Sequence, residues 1–137
     1  GLGRVFTGSG WREGQVAWNN DPKALRAAIE RALGPIGEDE ELHFRPMFGG
    51  IMSYTRGRPF ASLSNAGLAL KLSPEDRETL LVEEDALPLR YSPEDSASKS
   101  YTLVPESWHD DPDKLLPILM KSIGYCSALP LKKKPRK

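Results

Sequence analysis

Gly50-Ile51-Met52-Ser53-Tyr54-Thr55-Arg56-Gly57-Arg58-Pro59-Phe60-Ala61-Ser62-Leu63-Ser64-Asn65-Ala66-Gly67-Leu68-Ala69-Leu70-Lys71-Leu72 is the stretch that decides the fold. Residues 50–54 and 60–64 flank Thr55-Arg56-Gly57-Arg58, which reads as a hairpin turn. Asn65-Ala66-Gly67 supplies the next turn, since Asn and Gly tolerate positive φ. Leu68, Leu70 and Leu72 then alternate with Ala69 and Lys71, which puts three leucines on one face of a strand and the lysine on the other. The result is a three-stranded antiparallel meander, preceded by an extended segment over residues 42–48.

On either side of the meander the apolar period becomes helical. Asp21 is placed to cap a first turn and Pro22 suits the first helical position. Leu25, Ala28, Ile29, Ala32 and Leu33 then form one stripe, which Gly34-Pro35 ends. After the meander, Ser73, Pro74 and Asp76 make a helix start, and Leu80 and Leu81 give that helix its buried side. Leu87, Leu89 and Tyr91 alternate as a fourth strand, residues 92–98 form a polar loop, and residues 101–104 read as a fifth strand. Asp110-Asp111-Pro112 opens the last helix, with Leu115, Ile118, Leu119 and Ile123 as its stripe, widened by Leu116 and Met120. Pro117 conflicts with a straight helix there and predicts a kink.

The order is therefore α-β-β-β-α-β-β-α. The fold class is α+β, a two-layer domain with helices packed on a five-stranded antiparallel sheet. One domain is expected over residues 21–130. Residues 1–20, rich in Gly and without periodicity, read as a flexible or tag-derived leader, and residues 131–137 as a basic disordered tail.

Charge is balanced over 137 residues but unevenly placed. Lys132, Lys133, Lys134, Arg136 and Lys137 crowd the end, so residues 1–131 hold fourteen basic against nineteen acidic side chains, a balance of −5. A body of that sign does not attract phosphate backbones, and any contact with nucleic acid or another anion is expected only through the tail. Cys126 is the only cysteine, which excludes an intrachain disulfide and fits a reducing compartment. Neither neighbour, Tyr125 or Ser127, activates it, and it reads as a buried, inert thiol. No apolar run reaches the roughly 20 residues of a membrane-spanning helix, so no membrane role is expected.

The search for chemistry finds no assembled catalytic set. His43 and His109 stand 66 positions apart, outside any zinc-ligand spacing. His109-Asp110-Asp111 offers a general-base pair in principle, but capping already explains Asp111. Gly49-Gly50 leads into a strand, unlike a phosphate-binding loop, and predicts a bend or a close backbone approach. Arg45, Lys71 and Arg90 each project from a strand. If they share a face with Tyr54, Tyr91 or Tyr101, they form a polar, aromatic-lined surface for a partner or small anion. No catalytic, metal or cofactor residue is assigned.

Arg45-Pro46-Met47-Phe48-Gly49-Gly50, followed by Tyr54, Gly57 and Phe60-Ala61, resembles the opening of the TfoX N-terminal domain family. The likeness continues through Leu68-Ala69-Leu70-Lys71, Pro88-Leu89-Arg90-Tyr91, Tyr101-Thr102-Leu103-Val104-Pro105 and the acidic start at Asp111. The chain departs from the family pattern at Met52, usually glycine, at Ala69, usually aromatic, and at Leu89, usually Phe. The resemblance implies three helices against a five-stranded antiparallel sheet and an association with bacterial competence and DNA transformation. Longer relatives carry a second, C-terminal helical domain, and a sequence that stops at residue 137 is expected to be a stand-alone member without it. The resemblance supplies no catalytic residues.

The resulting expectation is a non-enzymatic, cytoplasmic regulatory module without cofactor, acting through protein contacts that can include a homodimer. Its candidate surface is Arg45, Met47, Phe48, Gly49, Gly50, Tyr54, Lys71, Tyr91 and Tyr101. Two alternatives stand beside it: a small-ligand or enzymatic site around the Met47–Gly50 bend, and a nucleic-acid accessory protein that uses the basic tail.

Overall fold

A computed structural model describes residues 18–92 and 94–131. One antiparallel sheet of six strands runs in the order β1-β2-β3-β4-β6-β5. The strands are β1 (Leu42–Met47), β2 (Gly50–Thr55), β3 (Arg58–Ser64), β4 (Gly67–Lys71), β5 (Leu87–Pro88) and β6 (Tyr101–Leu103). The helices are α1 (Pro22–Leu33), a single turn α2 (Ile36–Asp39), α3 (Pro74–Glu83) and α4 (Pro112–Ser127), with a 3-10 turn at Glu106–Trp108. The α+β class holds, and the strand count rises from five to six. The added strand is β1, which pairs with β2 along its whole length, from Leu42↔Thr55 to Met47↔Gly50. Its alternation is faint in the sequence because it is an edge: only Leu42 and Phe44 reach the core, and the other four residues are exposed.

The predicted fourth strand is cut short after Pro88. Leu89 still donates from its backbone N–H to Tyr101 O at 3.0 Å, but the chain then leaves the sheet, so Arg90 and Tyr91 lie in a loop. Both edge strands carry a proline, Pro46 and Pro88. Proline has no N–H for a ladder, and its place at the two edges blunts them against strand addition. Pro117 does not divide the last helix, which is continuous from Pro112 to Ser127. It stands exposed one turn after the exposed Asp113, so the carbonyl it leaves without a helical donor is on the solvent side.

The helix starts are those the sequence predicts. Asp21 Oδ1 accepts from Lys23 N at 3.1 Å, Ser73 Oγ from Asp76 N at 3.1 Å and Asp111 Oδ1 from Lys114 N at 3.3 Å. Each cap satisfies a first-turn donor that has no intrahelical partner. Ahead of α1, Trp18 packs on the sheet, and Asn20 donates to Asn65 O through both its backbone N (3.1 Å) and its Nδ2 (3.2 Å).

Helices α1 and α4 cover one face of the sheet. Leu25, Ile29 and Leu33 of α1 meet Leu63, Leu68, Leu70 and Leu72 and the α4 stripe Leu115, Ile118, Leu119 and Ile123. The ladder shifts register at Ser53/Tyr54, where Ser53 faces Ala61 and Tyr54 faces Pro59, leaving Phe60 as an extra residue on β3. Such a bulge turns two consecutive side chains to the same side, and Phe60 and Ala61 are both fully buried among the helices. Ser122 of α4 ties this region down, its hydroxyl lying 2.8 Å from Lys71 O and 3.3 Å from Phe60 O. Ser122→Ala is expected to cost about 1–2 kcal/mol in urea unfolding, because buried carbonyls lose their donor. An unchanged midpoint would show that the hydroxyl is dispensable. Among the described residues no helix is long and apolar enough to cross a membrane.

Candidate functional site

The opposite face of the sheet is only half covered. Trp18, Leu87 and Leu89 pack there on Ala66, Ala69 and Leu103, over β4 and β6. The register lays out the remaining side chains on this face in rows across the strands. Met47 and Gly50 form one row, Arg45, Met52, Ser62 and Ala69 the next, and His43 and Tyr54 a third, continued on the far side of β3 by the Lys71–Tyr101 pair. His43 and Tyr54 rings lie 6.3 Å apart at 50°. Tyr91 returns from the loop after β5 to reach Ser62, the two hydroxyls 2.8 Å apart.

The β1–β2 hairpin closes through Phe48 and Gly49, at φ 51° and 81°. A two-residue turn with both φ values positive matches the twist of the strands. Gly49 adopts this conformation without strain, whereas for a phenylalanine it costs about 1–2 kcal/mol. No burial offsets that cost, since the Phe48 side chain is fully exposed. Gly50 is fixed by a close approach: a Cβ there would sit 2.5 Å from Leu63 O. The predicted bend is therefore a tight hairpin whose second strand begins against the β3 backbone.

Beside the tip lies a groove of about 730 Å³, lined by Met47, Phe48, Gly49, Gly50, Ile51, Met52, Ser62, Leu63, Ser64, Tyr91, Pro22 and Asn65. Five of the nine surface residues expected from sequence meet in it: Met47, Phe48, Gly49, Gly50 and Tyr91. Met47 is 40% exposed and Tyr91 53%. Arg45 and Tyr54 stand on the same face next to the groove, while Lys71 and Tyr101 pair farther across it. Arg45, Tyr54 and Lys71 do not line the cavity, so the side chains of the small-ligand alternative do not close on one pocket. Met52 and Ser62 were missed. Met52 alternates with Gly50 and Tyr54, a signal that would have found it, but Ser62 joins through Tyr91, 29 positions away. Lys132, Lys133, Lys134, Arg136 and Lys137 lie outside the described residues.

None of the six strands contains an Asp or Glu. The cations on the half-open face are Arg45 and Lys71, and neither forms an ion pair among the described residues. Burial pushes the Tyr101 hydroxyl well above its ordinary range, reinforced by Cys126, Tyr91 and Tyr54, so it stays protonated. Burial also raises the Cys126 thiol, against the smaller opposing effects of Ser122 and Lys71, and its Sγ lies 3.5 Å from Lys71 O. A thiol held protonated in this way is not a nucleophile.

His109 stands apart from the groove. Its Nδ1 is 3.9 Å from Glu106 Oε1, and its Nε2 is buried without a partner among the described residues. Burial lowers its pKa from 6.5, outweighing the upward pull of Glu106 and Asp110. The unfolded chain therefore takes up a proton below pH 6.5 that the folded chain refuses, and stability falls as pH drops from there towards the folded-state pKa. The slope is at most about 1.4 kcal/mol per pH unit for one proton. Urea unfolding between pH 7.5 and 5.5 is expected to show a steeper decline for the wild type than for His109→Gln; equal slopes would remove His109 as the cause.

Among the described residues no group of three or more His, Cys, Asp or Glu side chains is placed to hold a metal ion. No curated protein and no solved structure matches the chain. The profile of the TfoX N-terminal domain matches residues 31–125, a span from the last turn of α1 almost to the end of α4 that takes in the whole sheet and every residue lining the groove except Pro22. With most of its length matched, the chain belongs to the TfoX N-terminal domain family.

Proposed function

We propose that the chain is a non-enzymatic, cytoplasmic regulatory module, akin to the N-terminal domain of competence regulators, that engages a protein partner through the hairpin groove. The observation that carries this reading is Phe48, an aromatic side chain held in a strained backbone conformation and turned wholly to solvent. Strain that packing does not repay is a mark of function. Met47 and Tyr91 extend the apolar area, and methionine adapts its shape to different occupants. The inert Cys126 and protonated Tyr101 add nothing to a catalytic set.

The test is site-specific photo-crosslinking in the native host, with the photoreactive residue at position 48 and, as a control, at Val82, an exposed apolar position on α3. A discrete protein adduct is expected from position 48 and not from 82. With the partner so identified, Phe48→Ala is expected to weaken binding about thirtyfold, the ~2 kcal/mol of a central contact, at unchanged melting temperature. Identical adducts from both positions, or full affinity for Phe48→Ala, would refute the groove.

A further inference from the structure

We propose that the half-open sheet face takes a short acidic peptide segment, its bulky apolar side chain seated between Met47, Phe48 and Tyr91 and its carboxylates meeting Arg45 and Lys71. This inference rests on the groove reading above and names the chemistry of the partner. The argument is charge complementarity. The body of the chain carries −5, yet its strands hold no acid at all, so every carboxylate of the described residues lies in a helix, turn or loop. Arg45 and Lys71 are left on this face without ion-pair partners among the described residues. Their counter-charge is therefore available to come from a ligand.

The geometry adds a spacing. Arg45 is on β1 and Lys71 on β4, three strands apart in the sheet. Lys71 also stands two residues along β4 from Ala69, the residue in Arg45's row, so about 4.8 Å per strand and about 3.4 Å per residue give a separation of about 16 Å, or about five residues of an extended peptide. The apolar anchor belongs at the Arg45 end, where Met52 faces Arg45 across the ladder. A nucleic-acid strand would also bring anions and flat rings, but its backbone continues past the site along a body whose balance over residues 1–131 is −5, which repels it. A short peptide touches only the sheet face.

The test is selection of random twelve-residue peptides displayed on phage against the full chain, followed by fluorescence anisotropy with the enriched peptides. Enriched sequences are expected to carry one bulky apolar residue and two Asp or Glu about five positions apart. Arg45→Glu and Lys71→Glu are each expected to weaken binding about tenfold. Exchanging the matching acid of the peptide for Lys is expected to restore binding to Arg45→Glu, an outcome that loss of fold cannot produce. Peptides that are basic or uncharged, lose binding with Phe48→Asp and ignore Arg45→Glu would overturn the acidic chemistry and leave the groove standing. Peptides that bind Phe48→Asp as well as wild type would overturn the groove itself. A library without binders, or a twelve-nucleotide oligo-dT that binds more tightly than any peptide and depends on Arg45, would overturn the peptide as occupant.

Discussion

Phe60→Ala is expected to lower the unfolding free energy by about 3–5 kcal/mol, the range for removing a fully buried aromatic ring. Phe60 heads the fully buried side chains by volume and lies in the helix-side cluster with Ala61. It reaches that position only because the register shift at Ser53/Tyr54 places an extra residue on β3. Its own carbonyl accepts from the Ser122 hydroxyl at 3.3 Å, so the backbone that carries the ring is also tied to α4. Neighbouring groups cannot collapse into the space without disturbing that link, which favours the upper part of the range. Guanidinium unfolding followed by circular dichroism measures the loss. A change below about 1 kcal/mol would mean that the ring is not a core element and that the bulge is placed wrongly.

Gly50→Val is expected to cost about 3 kcal/mol, the upper end for overpacking, and to disable the groove at the same time. The added Cβ would stand 2.5 Å from Leu63 O, a backbone atom that cannot swing aside as a side chain would. Relief requires β2 to part from β3 where Ile51 pairs with Leu63, and that movement carries Phe48 and Met47 with it. Two readouts separate the effects. The melting temperature reports the strain, and amide chemical shifts from Met47 to Met52 report displacement of the hairpin. A stable variant with unmoved shifts would show that the close approach is not what fixes the tip.

The leucines at 68, 70 and 72 show which part of the fold could be read from the chain. Their alternation placed them on one face, and all three are buried beneath the helices. The three capped helix starts were equally readable, since a side-chain acceptor ahead of a proline acts within a few residues. What escaped depends on distant contacts or on edges. Strand β1 hides because its outward residues need no apolar character. The strand from Leu87 ends early because Ser98 takes over its ladder, Ser98 N donating to Leu89 O at 2.8 Å and Ser98 Oγ accepting from Tyr101 N at 2.9 Å. In the turn after β3, positive φ falls on Gly67 at 127° and not on Asn65. Of the candidate surface, the stretch 47–50 was visible as a motif. Its convergence with Tyr91 was not, because the Tyr91–Ser62 contact arises from tertiary folding alone.

Strands free of Asp and Glu leave Arg45 and Lys71 as the charges on the open sheet face among the described residues, so the local potential there is positive. A negatively charged visitor diffusing nearby is rotated by that field before any surfaces touch, so orientation is selected during approach. Encounter rates on this side then decline with added electrolyte, while the lifetime of the finished complex, governed by its greasy anchor, changes little.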